Sequence, residues 1–153
     1  FGMTLRHRAG GAGAQKLGVK VTPLGGRDPD DFNTAFAAMT RKRPDAILMV
    51  TDALTMLNRK RVFEFAAMHR LPAIYEYDFL VSDGGLMSYG PNLDDIYDRA
   101  SALTDRILEG ARPAELPIEQ PTRFSFALNL KTAKALGIKF PNSILVRADK
   151  VIE

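Results

Sequence analysis

Asp45-Ala46-Ile47-Leu48-Met49-Val50-Thr51 restricts the fold more than any other stretch of this chain. It is a continuous apolar run of strand length, lying between two helix-like segments. Runs of that kind belong to strands buried on both faces of a parallel sheet. Before it, Asp28-Pro29-Asp30-Asp31 supplies a helix start: a capping Asp, Pro at the first helical position and acids in the first turn. Phe32, Ala35, Phe36 and Met39 then recur at helical spacing, and Arg41-Lys42-Arg43 closes the segment before Pro44. After it, Leu54 to Arg70 reads as one long helix, Leu71 to Tyr75 as a strand and Tyr77 to Ser82 as a helical turn. Val19 to Leu24, alternating and β-branched, reads as an earlier strand, and Leu86 to Tyr89 as the fourth. Strands alternating with helices of this length favour right-handed βαβ units. The expected class is therefore α/β, a parallel sheet with helices on both faces.

At Gly84 to Asn92 the pattern changes: a short strand, a Gly90-Pro91 break, and a helix that Asn92 can cap. In Leu93 to Glu109 the residues Leu93, Ile96, Tyr97, Ala100, Leu103 and Ile107 share one face, and Gly110 stops the helix. Large side chains in such a stripe gain roughly 1.5–3 kcal/mol each on burial, so the stripe calls for cover. A proline-punctuated connector follows, then a strand over Pro121 to Asn129 and a short helix over Leu130 to Leu136 closed by Gly137. Pro141-Asn142-Ser143 introduces a last turn or helix, before a terminal strand at Lys150 to Ile152. The expected division is residues 1–90 as an α/β lobe and residues 91–153 as a crossover helix, connector and closing segments.

Composition narrows the chemistry. The 153 residues are 46% hydrophobic and 25% charged, ordinary values for a globular chain. With no cysteine, the chain offers no disulfide, thiolate metal site or cysteine nucleophile. The net charge of +3 is spread along the chain rather than gathered in the stripe a nucleic-acid binder shows. No apolar run reaches the roughly 18–20 residues of a membrane span. Phe1 to Leu5 carries none of the features of a secretory signal.

Individual motifs mostly reduce to structure. Gly10-Gly11-Ala12-Gly13 is not preceded by a strand, which a dinucleotide-binding turn requires. His7 and His69 stand alone, His69 at a helix end where a cation meets the helix dipole. Arg59-Lys60-Arg61 reads as a solvated helical face, and Ser82 and Ser88 lack a nucleophile-elbow pattern. Neither a catalytic nor a metal site is expected, nor any cofactor. Asp52 and Glu76 are different, since both fall just past the carboxyl ends of expected parallel strands, where open α/β sheets bind ligands. Tyr75, Tyr77 and Tyr89 fall at the same edge, acids suiting an ammonium group and phenols suiting stacking and hydrogen bonds. The plainer reading makes Asp52 a helix cap and Tyr75 and Tyr89 ordinary packing.

Several long segments carry a resemblance. They are Asp30-Asp31-Phe32 with Ala35-Phe36-Ala37-Ala38-Met39-Thr40, His69 to Tyr75, Gly84 to Asn92, Leu116 to Phe124 and Asn129 to Gly137. Together they resemble the bacterial ABC-transporter substrate-binding proteins with a type I periplasmic-binding-protein-like fold, from about Leu17 to Glu153. The resemblance implies two α/β lobes with a ligand cleft between them, this chain matching the carboxyl-terminal half. It makes Gly90-Pro91 a hinge crossing, with a second near Ile118 to Thr122, and lays the helix from Leu93 on the first lobe. It places Thr51, Asp52, Glu76, Tyr77 and Tyr89 on the cleft edge as ligand-binding residues.

The implied function is non-enzymatic: solute binding for an ABC importer by lobe closure, in the periplasm or otherwise outside the cytoplasm. The implied ligand is small, polar or aromatic and amino-acid-like, and the implied partner is a transporter permease. A half cleft is expected to bind weakly, and the uncovered stripe to drive homo-oligomer formation, with swapping after Pro91 as one route. The alternative is an effector-sensing domain of a transcriptional regulator, which shares the fold. A flavodoxin-like enzyme fits less well, lacking both a phosphate loop and a nucleophile–base pair.

Overall fold

A computed structural model describes residues 10–153; His7 and the Phe1 to Leu5 terminus lie outside them. The chain divides into two units, residues 1–43 and residues 44–153.

In the first unit, residues 10–16 are helical (α1). Gly18 ends them with φ +66°, and the Val19 N–H reaches back to the Ala14 carbonyl at 2.9 Å, the bond that closes a left-handed cap. Residues 19–26 belong to no helix or strand, which corrects the expectation for Val19 to Leu24. Val19, Val21 and Leu24 are exposed. β-propensity expresses packing on a pleated neighbour, and without a paired strand the alternation has nothing to act on. Helix α2 covers Asp31–Arg41 and starts later than the sequence suggests. Asp28 and Asp31 instead build the turn before it: Asp31 Oδ2 accepts from the Arg27 N–H at 2.7 Å, and Asp28 Oδ1 from the Asp30 N–H at 2.8 Å. The Arg27 N–H, and after it the Asp28 N–H at 3.4 Å from the same oxygen, hold the Asp31 carboxyl below its ordinary value of 3.8. Phe32 and Phe36 meet one turn apart, with ring centroids at 5.9 Å.

The second unit is built on a five-stranded sheet of order β1–β2–β3–β4–β5: Ile47–Leu48, Ala73–Tyr75, Met87–Pro91, Phe124–Asn129 and Lys150–Ile152. Three of its pairings are parallel, but β3 and β4 run antiparallel, with Pro91 opposite Phe124. The sheet is therefore mostly rather than wholly parallel. Strand β1 is a short edge strand, and Leu48 is 62% exposed. The run from Asp45 to Thr51 is thus not buried on both faces. Leu48 pairs beside Ile74, on the side away from the core.

Alternation sets the core. Ala73, Tyr75, Ser88, Ala127 and Asn129 share one face and are all buried. Helices pack on that face. From α4 (Arg59–Met68), Phe63 meets the Tyr75 ring edge-on at 5.1 Å. From α5 (Asp78–Ser82), Leu80 and Val81 are fully buried, and the Val81 carbonyl accepts from the buried Asn129 amide at 3.1 Å. From α7 (Leu130–Leu136), the Thr132 hydroxyl donates to the Gly84 carbonyl at 3.0 Å. Gly85 is obligatory here, because a Cβ would sit 2.7 Å from the Tyr75 ring.

The expected long helix from Leu54 is broken into α3 (Ala53–Leu57) and α4. Asn58 marks the break: its side-chain amide donates to the Leu54 carbonyl at 2.9 Å, a local bond that competes with helix continuation. Helix α6 (Leu93–Leu108) starts as the sequence indicates, the Asn92 side chain accepting from the Asp95 N–H at 2.9 Å. Gly110, with φ +103°, closes it. No α6 residue is buried, and Tyr97 and Leu108 are 66% and 81% exposed. A last short helix, α8 (Asn142–Leu145), precedes β5. Among the described residues no helix is long and apolar enough to cross a membrane.

Candidate functional site

The carboxyl ends of β1, β2 and β3 and the start of β4 lie along one edge, because β4 runs opposite to the other three. Thr51 follows β1, Glu76 and Tyr77 follow β2, and Tyr89 sits in β3. The Thr51 backbone N–H donates to Glu76 Oε2 at 3.2 Å, joining two of the expected residues across 25 positions of sequence. Gly90 explains how Glu76 is held. A Cβ there would overlap the Glu76 carbonyl oxygen, so only glycine lets β3 approach the end of β2 this closely.

Asp52 does what its plainer reading says. It caps α3 in a reciprocal box: Asp52 Oδ1 accepts from the Thr55 N–H at 2.7 Å, and Thr55 Oγ1 accepts from the Asp52 N–H at 2.9 Å. This fixes the loop after β1 and aims the Thr51 amide at Glu76. Tyr77 stands at the N-cap of α5, its ring stacked on Phe79 with centroids at 5.7 Å and planes 14° apart.

The tyrosines divide. Tyr75 does not join the edge: it is buried on the core face against Phe63, and burial pushes its phenol well above the ordinary range. Tyr89 points to the opposite face and is 58% exposed. Its ring stacks on Phe124 at 5.6 Å with planes 16° apart, and meets Phe126 edge-on at 6.2 Å. Phe124, 49% exposed, is the residue that sequence reasoning missed. The alternation of Phe124 and Phe126 was visible, but the antiparallel pairing that sets Phe124 beside Tyr89 was not.

The edge thus presents a backbone amide held on a carboxylate, and further along it two stacked rings. An acid and aromatic faces can receive a cation bearing a flat apolar group. A shallow groove between α4 and α7, lined by Phe63, Ala67, Leu71, Gly84, Leu86 and Ala135, lies toward the amino ends of the strands, away from this edge.

Beyond the edge, α6 and the returning connector are joined at Arg99. Arg99 Nε lies 3.0 Å from Asp95 Oδ2, Nη1 2.9 Å from Glu119 Oε2, and Nη2 3.2 Å from the Thr122 hydroxyl. The Glu119 hydrogen bond, then the Asp95 carboxylate, holds the guanidinium even more firmly protonated than usual.

Residues 9–152 match the family model of the ABC transporter substrate binding proteins. The chain belongs to that family. No curated protein matches it. Among solved structures it is similar to an ABC domain from Streptococcus pneumonia in complex with L-Trp, at 25% identity and a TM-score of 0.89. A conserved domain protein from Vibrio cholerae gives 23% and 0.87. A ligand-free, open substrate binding protein with adhesive properties from Clostridium difficile gives 21% and 0.71. These alignments cover 98–99% of this chain but 50% of each of those chains, so it spans about half their length. The last two comparisons establish the fold.

Proposed function

We propose that this chain supplies one lobe of a two-lobed solute-binding protein serving an ABC importer outside the cytoplasm, and that Thr51, Asp52, Glu76, Tyr77 and Tyr89 line its share of the ligand cleft. The reading is of binding without catalysis. Its ligand is a small amino-acid-like molecule, its ammonium directed toward Glu76 and any flat side chain toward the Tyr89–Phe124 stack. Lobe closure traps the ligand, and a permease receives it.

The observation that carries this reading is the Thr51 N–H to Glu76 bond at the carboxyl edge, where residues from successive strands converge. The L-Trp complex of the Streptococcus protein supports the ligand class by similarity. The second crossing and the α6 stripe fit the same picture, the stripe lying on the other lobe. In the isolated chain the stripe is covered by self-association instead.

NMR titration of the isotope-labelled chain with L-tryptophan tests the site, since it registers the weak binding expected of half a cleft. Shifts confined to the amides of Thr51, Asp52, Glu76, Tyr77 and Tyr89, and lost in Glu76→Gln, are the expected result. Shifts centred on α6 or on the α4–α7 groove reject the assignment.

A further inference from the structure

The chain leaves β3 at Pro91 and returns to β4 at Phe124, two residues that face each other in the antiparallel register. The outgoing and incoming connectors are therefore neighbours. The Asn92 N–H donates to the Arg123 carbonyl at 3.0 Å, one rung beyond the last strand pair. Past that rung the incoming connector has no regular structure over residues 116–123, and Ile118 is 99% exposed. Its backbone gives it little hold.

Side chains supply the hold instead. Arg99, two turns into α6, reaches Asp95 on its own helix and both Glu119 and Thr122 on the connector. Asp95 lies 4.0 Å from the Arg123 guanidinium and is 14% exposed, the least accessible member of the group. The Asn92 cap bonds the Asp95 N–H at 2.9 Å. Asn92, Asp95, Arg99, Glu119, Thr122 and Arg123 thus form one connected network of contacts. Isolated surface ion pairs constrain little, whereas a planar fork shared among several partners fixes geometry as well as charge. Lysine, a point charge, cannot span the same three oxygens.

We propose that Arg99 is a positioning residue that clamps the outgoing and incoming connectors into a single strap. Calling these connectors inter-lobe crossings rests on the function proposed above; the clamp itself does not. The strap bears on the site because its two ends are Pro91, two residues past Tyr89, and Phe124 itself. With the clamp intact, both crossings turn together and the aromatic stack keeps its register as they do.

Because the chain has no cysteine, spin labels can be placed cleanly. Labels at Ser101→Cys on α6 and Gln120→Cys on the connector, both exposed, report the separation of the two segments by pulsed electron resonance. The doubly labelled protein is expected to give one narrow distance distribution. Arg99→Ala should broaden it at least twofold with the far-ultraviolet circular dichroism of the sheet retained, and Arg99→Lys should fall between. Should Arg99→Ala fail to fold, Glu119→Gln removes the charged partner from the connector side and is expected to broaden the distribution as well. A width unchanged in the folded variant overturns the clamp. The measurement uses no ligand, so an L-tryptophan titration that fails removes the cleft assignment and leaves the clamp standing.

Discussion

The β2–β3–α5 core and helix α6 begin from similar sequence material and end in opposite conditions. Both are patterned with apolar residues at the period of their element. In the core, Tyr75, Leu80, Val81 and Ser88 are all but sealed from solvent. In α6 not one residue is buried, although its cap, its stripe and its closing glycine are as well formed as those of any helix here. Periodicity therefore announces that a face needs cover without saying which molecule or lobe provides it.

Four experiments sharpen that contrast, and the first should give the largest effect. Leu80→Ala removes a fully buried side chain and is expected to cost about 2–5 kcal/mol by chemical denaturation. Leu108→Ser, on the exposed end of α6, should stay within about 0.5 kcal/mol in the same assay. Equal losses would show that α6 has cover in this chain after all. Gly90→Ala comes next. Its Cβ collides with the Glu76 carbonyl, so a loss of about 1–3 kcal/mol is expected, together with a displaced Thr51 amide resonance.

Ser88→Ala should go the other way. The Ser88 hydroxyl is buried and finds no hydrogen-bond partner among the described residues, so removing it should stabilise the sheet by about 1 kcal/mol, read as a raised melting temperature. The smallest effect concerns α2. A depressed carboxyl contributes stability above its unfolded value and loses it as pH falls, so the turn before α2 should loosen on acidification below 3.8. Amide exchange at Arg27 and Asp28 would report it, and Asp31→Asn should abolish the pH dependence.

How much of this was legible depended on whether a residue's role was local. The Asn92 cap and the closing glycines at 110 and 137 act within a few residues of themselves, and all were readable. Asn58 breaks a helix by an equally local bond, but the apolar spacing running through it hid the break. Non-local facts were lost. Val19 to Leu24 has strand-like composition and no strand partner among the described residues, and Leu48 has core-like neighbours at a sheet edge. The site was half visible for the same reason. Glu76 follows a strand end and could be placed, whereas separating Tyr75 from Tyr89 required the β2–β3 register, and finding Phe124 required the direction of β4.

That reversed β4 has a consequence for the architecture. Since Pro91 and Phe124 already sit across from each other, everything threaded between them is an excursion that starts and finishes at one doorway. The sheet would close equally well over a tight hairpin turn. A lineage could lengthen, exchange or graft the excursion without disturbing any rung of the ladder beneath it.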